Sequence, residues 1–95
     1  MVTSTMPVWI EDGDGTIVRG VAESVTRGGV LVRLAVAPGF GEGAGVALRL
    51  SLDPESPTVA ATARVSWVKG DGRPECGLEW MSLEASLEDW LVSRN

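Results

Sequence analysis

Apolar and polar residues alternate along several short runs of this chain, which is the pattern of strands with one buried face. The clearest run extends from Val46 to Leu52, where every second residue from Val46 onward is apolar. A longer run from Thr58 to Lys69 alternates in the same way and predicts the longest strand. The positions expected to face inward on it are Val59, Ala61, Ala63, Val65 and Trp67.

Three more runs are rich in β-branched residues or alternate in the same way, and these features are also typical of strands. They extend over Thr16 to Val25, Val30 to Val36 and Glu75 to Met81. In the last run, Cys76, Leu78 and Trp80 are expected to face the core. A further strand forms if PVWI, residues 7–10, pairs back on residues 16–19 across the turn EDGDG.

Turn-forming residues separate these runs. The segments EDGDG, APGFGEGAG, DPESP and GDGRP are rich in Gly, Pro and Asp, which suit tight reversals of the chain. Their positions predict an antiparallel meander. The segment GFGEGAG precedes a strand instead of a helix and has no following Lys-Ser or Lys-Thr, so we interpret it as a flexible loop and not as a phosphate-binding loop.

The period of the pattern changes after the last strand. The segment SLEASLEDWLV predicts a helix from about Leu83 to Val92, with Ser82 or Ser86 as its N-cap. Its buried face should carry Leu83, Leu87, Trp90 and Leu91. Antiparallel strands without intervening helices leave exposed edges unless the sheet closes. The predicted fold is therefore all-β: a small five- or six-stranded barrel closed or plugged by one C-terminal helix.

The size of the chain fits one domain over residues 1–95, of which 44% are apolar. Neither a signal peptide nor an apolar run long enough to span a membrane is visible, so we expect a soluble, cytoplasmic protein without membrane insertion. Cys76 is the only cysteine and histidine is absent, which excludes a disulfide within the chain and a zinc site. We interpret Cys76 as an inert core residue.

The net charge of −5 and the scattered positions of the eight basic residues argue against nucleic-acid binding. The absence of histidine and tyrosine removes common catalytic acids and bases, so an enzyme would have to rely on carboxylates. The acidic cluster Glu11, Asp12 and Asp14 lacks the remaining ligands of a calcium loop, and we interpret it as solvated turn residues. We expect neither a metal nor a cofactor.

The order of these elements, together with several short motifs, resembles the PilZ domain, a small bacterial β-barrel best known as a receptor for cyclic di-GMP. The resemblance covers nearly the whole chain. It rests on SVTRGGVLVRL, GAGVALRLSL, ATARVSWVKGDG and ECGLEWMSL, followed by a short helix. The most specific features are the strand ending in RVSWV, the Gly77-x-x-Trp80 motif and the Gly28-Gly29 turn.

The resemblance also implies where a ligand motif should lie. Members that bind cyclic di-GMP carry an Arg-x-x-x-Arg pair before the first barrel strand and an Asp/Asn-x-Ser-x-x-Gly motif after it. The second motif aligns with Ser24 to Gly29, where Ser24 replaces the acidic or amide residue while Thr26 and Gly29 are retained. The arginine pair is missing, because residues 1–18 contain no Arg or Lys. Binding of cyclic di-GMP is therefore not expected.

Each residue of this degenerate motif also has a purely architectural interpretation. Gly28 and Gly29 suit a tight turn, and the hydroxyl groups of Ser24 and Thr26 can bond to turn amides. Arg27 is either a solvated charge or an anchor for a partner protein.

The four tryptophans have different expected roles. Trp67 and Trp80 are expected in the core, and Trp90 is expected to dock the helix on the barrel. For Trp9, in a poorly patterned strand, an exposed or interfacial position and a buried one both remain open.

Three classes of function follow. The first is a non-catalytic module that has lost cyclic di-GMP binding and docks onto a protein partner, as divergent PilZ domains do in type IV pilus function and surface motility. The second is a residual cyclic di-GMP sensor that uses Arg27 and a non-standard site. The third, a small carboxylate enzyme, has no nameable nucleophile and base. The first class is favoured.

Overall fold

The structure is a computed structural model that describes residues 2–52, 55, 57–70 and 72–94. It contains six strands and one helix. These are β1 (Val2–Glu11), β2 (Ile17–Val25), β3 (Gly29–Leu34), β4 (Gly45–Leu50), β5 (Val59–Lys69), β6 (Glu75–Leu83) and α1 (Ala85–Arg94). Parts of the predicted turns DPESP and GDGRP, namely residues 53, 54, 56 and 71, lie outside the described residues.

The strands form a closed antiparallel barrel with the order β1-β2-β3-β6-β5-β4. The predicted all-β barrel with one C-terminal helix is confirmed, including the sixth strand. The predicted pairing of residues 7–10 with residues 16–19 is shifted by two residues along β2, because Pro7 pairs with Val21 and Ile10 with Val18. The single meander is wrong: residues 35–44 carry the chain away from β3, so that β4 pairs with β1 instead. Turn composition indicates that a chain reverses, but it does not distinguish a hairpin from a longer crossing.

The interior of the barrel is entirely apolar among the described residues. Alternation is regular on β4, where Val46, Leu48 and Leu50 are buried while the residues between them are exposed. Cys76 on β6 is buried, as the pattern predicted. Two predicted strands were too long at their C-terminal ends, because β3 ends at Leu34 and β4 at Leu50.

The alternation of β5 breaks near its end, and the prediction that Trp67 faces the core is wrong. The pairing of β5 with β6 is irregular between Val65 and Trp67, which turns Trp67 outward with 42% of its surface exposed. The indole lies over Gly77 on β6, where an added Cβ would overlap the ring. The extra residue of a β-bulge reverses the faces of everything after it, and a periodic pattern cannot reveal this.

The helix begins two residues later than predicted, because β6 continues to Leu83. Ala61 of β5 still pairs with Leu83, so this residue belongs to the sheet. The amides of Leu87 and Glu88 donate to the Glu84 carbonyl, which places Glu84 at the N-cap. The predicted N-caps are therefore wrong. The Ser82 hydroxyl instead lies 2.7 Å from that of Thr62, and Ser86 lies inside the first turn.

The helix nevertheless buries the predicted side. Leu87 and Leu91 belong to the same buried cluster as the barrel interior, and Trp90 is half-buried against it. None of the residues that the structure describes form a helix with the length and apolar character that a membrane crossing requires.

Candidate functional site

The turn between β2 and β3 contains the degenerate motif, and the Thr26 side chain organises it. The Thr26 hydroxyl oxygen accepts hydrogen bonds from the amides of Gly28 and Gly29, each at 3.1 Å. The same hydroxyl lies 3.3 Å from the Gly29 carbonyl oxygen, to which it donates, and the Thr26 amide donates to that carbonyl at 2.8 Å. This geometry matches the architectural interpretation, since the hydroxyl is occupied by the backbone of its own turn.

Strand β6 holds this turn from the other side. The indole Nε1 of Trp80 donates to the Thr26 carbonyl at 2.8 Å, and the Trp80 amide donates to the Gly28 carbonyl at 3.1 Å. Trp80 is thus half-buried, packed against the core with its polar edge on the turn, and not fully inside as predicted. Two hydrogen bonds across a long sequence separation fix the position of the turn on the barrel.

The two glycines of the turn differ in what they require. A Cβ on Gly29 would overlap the backbone carbonyl oxygen of Leu78, so the close approach of β3 to β6 needs glycine there. A Cβ on Gly28 would meet only the Thr26 hydroxyl, at 3.8 Å, and Gly28 is not among the glycines with positive φ. The interpretation of Gly28 as a residue that the turn requires is therefore not supported by its geometry.

A shallow cavity of about 410 Å³ lies beside the turn. Ser24, Thr26 and Gly28 line one side, and Ser66, Trp67 and Glu79 contribute from β5 and β6. Glu79 is the only charged residue among the described ones that line it. Its carboxylate is largely exposed and lies 4.0 Å from the Arg64 guanidinium. The described residues that line the cavity therefore include one carboxylate, which is paired with Arg64, and no guanidinium group.

The remaining motif residues are placed less centrally. Ser24 is half-buried in the cavity wall, and within the described ranges its hydroxyl has no hydrogen-bond partner. Arg27 is exposed at the tip of the turn, and no described carboxylate lies within 4.0 Å of it. Arg33 on β3 is occupied by an ion pair with Glu23 at 2.8 Å.

Trp9 lies on a different part of the barrel. It is half-buried on the outer side of β1 and pairs with Arg19 of β2, whereas the turn begins beyond Ser24, which pairs with Thr3. At about 3.3 Å per residue, Trp9 is roughly 20 Å from the turn. The two predicted interface candidates, Trp9 and Arg27, therefore do not form one continuous surface.

Among the residues that the structure describes, Asp14 and Cys76 have shifted pKa values, and neither forms a catalytic site with its neighbours. Hydrogen bonds with the Asp12 side chain and then with Thr16 lower the pKa of Asp14 to about 2. Asp12 Oδ1 accepts from the Asp14 and Thr16 amides, so this cluster closes the β1–β2 turn. Burial raises the pKa of the Cys76 thiol to about 12. No cluster of three possible metal ligands occurs in the part of the chain that the structure describes.

Sequence reasoning missed several residues around these surfaces. Glu79 and Trp67 line the cavity because of strand pairing and the bulge; Trp67 was expected in the core, and the sequence did not indicate a position beside the turn for Glu79. Arg19 and Arg49 were noted only as scattered charges, although each pairs with Trp9 across the sheet. The alternating pattern places both arginines on the outer face of their strands. It does not show that they flank Trp9, because that depends on the register between strands.

Comparisons with known proteins agree with the fold. The family model for the PilZ domain matches residues 2–93. A solved structure of the Bacillus subtilis inhibitor of motility, MotI/DgrA, is similar with a TM-score of 0.79 and 21% sequence identity. The similarity covers 98% of this chain and 46% of that protein's chain, so this chain spans less than half of its length. No curated protein matches the sequence.

Proposed function

Since this chain belongs to the PilZ domain family, we propose that it is a non-catalytic protein-interaction module that does not bind cyclic di-GMP. In this proposal it regulates bacterial surface motility or type IV pilus function through protein partners. The similar structure of an inhibitor of motility supports the association with motility. Trp9 and Arg27 are its candidate contact residues, on two separate surfaces.

The observation that carries this proposal is the charge of the cavity beside the motif turn. Cyclic di-GMP has two phosphate charges, while Glu79 is the only charged residue among the described ones that line the cavity. Residues 1–18 supply no Arg or Lys, and the Thr26 hydroxyl already bonds to turn amides. A charge-assisted hydrogen bond contributes about 1.5–3 kcal/mol, so a cavity that lacks two such bonds to the phosphates loses about two to four orders of magnitude in affinity.

Calorimetric titration of the purified chain with cyclic di-GMP tests the loss of nucleotide binding. We expect no saturable heat at micromolar concentrations, because no described residue that lines the cavity carries a positive charge to offset the two phosphates. Saturable heat with a low-micromolar affinity would contradict the proposal. The protein-binding part is tested separately, by capture of a partner in cells.

A residual sensor is the second candidate, and one observation favours it. Arg27 is exposed next to the motif turn and has no ion pair with a described residue, so it is available to a phosphate. If titration with cyclic di-GMP gives saturable heat, Arg27→Ala should abolish it, whereas Arg73→Ala in the β5–β6 loop should leave it unchanged. A response that Arg27→Ala does not alter would contradict this second candidate.

A further inference from the structure

A row of side chains runs across the outer face of the barrel, away from the motif turn. Trp9 on β1 pairs with Arg19 on β2 and with Arg49 on β4, and Arg49 pairs in turn with Ala60 on β5. Both arginines are exposed, and the Trp9 side chain is half-buried between their strands. Closure of the sheet between β1 and β4 brings these positions together, although they are far apart in the sequence.

A groove of about 450 Å³ adjoins this row. We refer to it as the β1–β4 groove; its lining includes Trp9, Ile17, Ala47, Arg49, Ala60 and Leu83. The floor is made of small exposed residues, Ala47 and Ala60, while Trp9, Ile17 and Leu83 are the larger apolar ones. Ile17 is 59% exposed. Small residues between large apolar ones form a depression that fits an inserted apolar side chain.

The charges around the β1–β4 groove restrict its ligand. Arg49 lines the groove, while Arg19 lies outside its lining, on the strand that flanks the other side of Trp9. Neither guanidinium group has a carboxylate within 4.0 Å in the described ranges. These two guanidinium groups are therefore available to an acidic partner. Two carboxylates, Glu11 and Glu84, also line the groove and oppose a continuous polyanion such as a nucleic acid. A peptide with one acidic side chain among apolar ones meets both conditions: its carboxylate can pair with the arginines, and it carries no continuous negative charge.

The topology favours a helix over a strand as the form of this peptide. The segments of β1 and β4 that carry Trp9 and Arg49 are paired on both sides, so they offer no free edge for an added strand. A helix lies on the face of a sheet instead, and small floor residues allow it to approach closely. Consecutive outward-facing residues of a strand are about 6.6 Å apart, and one turn of a helix rises about 5.4 Å. Helix residues three or four positions apart can therefore contact two consecutive outward-facing residues of the same strand.

We propose that the β1–β4 groove docks an amphipathic helix of a partner protein, with apolar side chains against Ala47 and Ala60 and a carboxylate on Arg19 and Arg49. This inference rests on the proposed function as an interaction module and deepens it, because it names the contact surface and the chemistry of the partner. The Arg27 turn, roughly 20 Å away at about 3.3 Å per residue, is outside this contact.

Photo-crosslinking in cells of the source organism tests the inference. A benzophenone amino acid replaces Ile17 at the rim of the groove, and in a matched control it replaces Val36, which is equally exposed at 59% but lies in the β3–β4 loop. We expect a crosslink through position 17 to a segment with apolar residues three and four apart and at least one acidic residue. No crosslink at position 17, or a crosslink to a second copy of this chain, would overturn the inference.

Two variants then test the contact itself. Arg49→Glu should reduce the position-17 crosslink by about tenfold or more, because it places a carboxylate against the acidic helix. Ala60→Trp should do the same by filling the floor, while Arg73→Glu, an equal charge change in an exposed loop, should leave the yield unchanged. Thermal unfolding verifies that each variant is folded. Folded variants with unchanged crosslinking would remove the groove from the interface.

Different results would contradict this inference and the proposed function. A protein crosslink that forms only at position 36 keeps an interaction module but assigns its contact to another surface. Saturable binding of cyclic di-GMP, by contrast, argues against the proposed function without bearing on the groove.

Discussion

The motif turn between β2 and β3 and the β1–β4 groove differ in how their side chains are used. The turn has a family motif, but the Thr26 hydroxyl and the backbone carbonyls of Thr26, Gly28 and Gly29 are bonded within the protein. The groove has no motif, yet Arg19 and Arg49 have no ion pair with described residues and Ile17 is exposed. The difference teaches that a retained motif can serve the fold while an unmarked surface keeps its side chains available to a partner.

The largest effect is expected where the turn meets β6. Gly29→Ala forces a Cβ against the Leu78 carbonyl oxygen, which only a backbone shift can relieve. We expect the free energy of unfolding to fall by about 3 kcal/mol or more. Gly28→Ala is the matched control, since its Cβ has room, and should change stability by less than about 1 kcal/mol. Equal effects of the two variants in urea unfolding would show that the turn is not held as described.

Replacement of the groove tryptophan should affect binding more than stability. Trp9→Ala is expected to weaken the complex with the protein partner by about thirtyfold, equivalent to about 2 kcal/mol, because a half-buried aromatic anchor is lost. Arg27→Ala, at the exposed tip of the turn, should weaken the same complex by less than about threefold. Affinity measurements on both variants compare the two surfaces directly. A larger loss for Arg27→Ala would reverse the comparison.

A smaller effect is expected from the hydrogen bond that fixes the turn. Trp80→Phe keeps an aromatic ring but removes the donor to the Thr26 carbonyl, so that carbonyl loses a partner. We expect a loss of about 1–2 kcal/mol in the free energy of unfolding. Trp67→Phe, on an exposed ring without a described hydrogen bond, is the control and should cost less. If both variants unfold at the same urea concentration, the indole bond does not stabilise the turn.

The buried thiol of Cys76, in the core beneath both regions, should make the free energy of unfolding depend gradually on pH. The Cys76 pKa is raised from 9.0 to about 12 by burial, so the folded state keeps its proton when the unfolded chain has lost it. The thiol should therefore leave stability unaffected below pH 9 and lower it as the pH rises from 9 to about 12, with a slope of at most about 1.4 kcal/mol per pH unit. The absence of tyrosine leaves this interval clear of phenol titration.

Cys76→Val provides the control for this measurement, because its side chain cannot titrate. The variant should lose the extra decrease in stability above pH 9 that wild type shows in urea unfolding. An identical pH profile for both proteins would mean that another group causes the decrease.

The sequence determined the strands and the class of fold. Alternation marks β4 and most of β5 clearly, because a strand in a barrel has one dry face and one wet face. The change of period after β6 likewise identified the helix that carries the buried Leu87 and Leu91. Short motifs were sufficient to identify the PilZ family. These features are local or periodic, so they can be read without knowing which strands pair.

The tertiary structure decided which residues meet. The bulge that turns Trp67 outward, the continuation of β6 to Leu83 and the bond from Trp80 to Thr26 depend on pairing between distant segments. The same holds for Arg19 and Arg49 on either side of Trp9, which meet only because β1 pairs with both β2 and β4. Strand register is set by the packing of the whole barrel, since a shift of one residue moves every side chain to the opposite face.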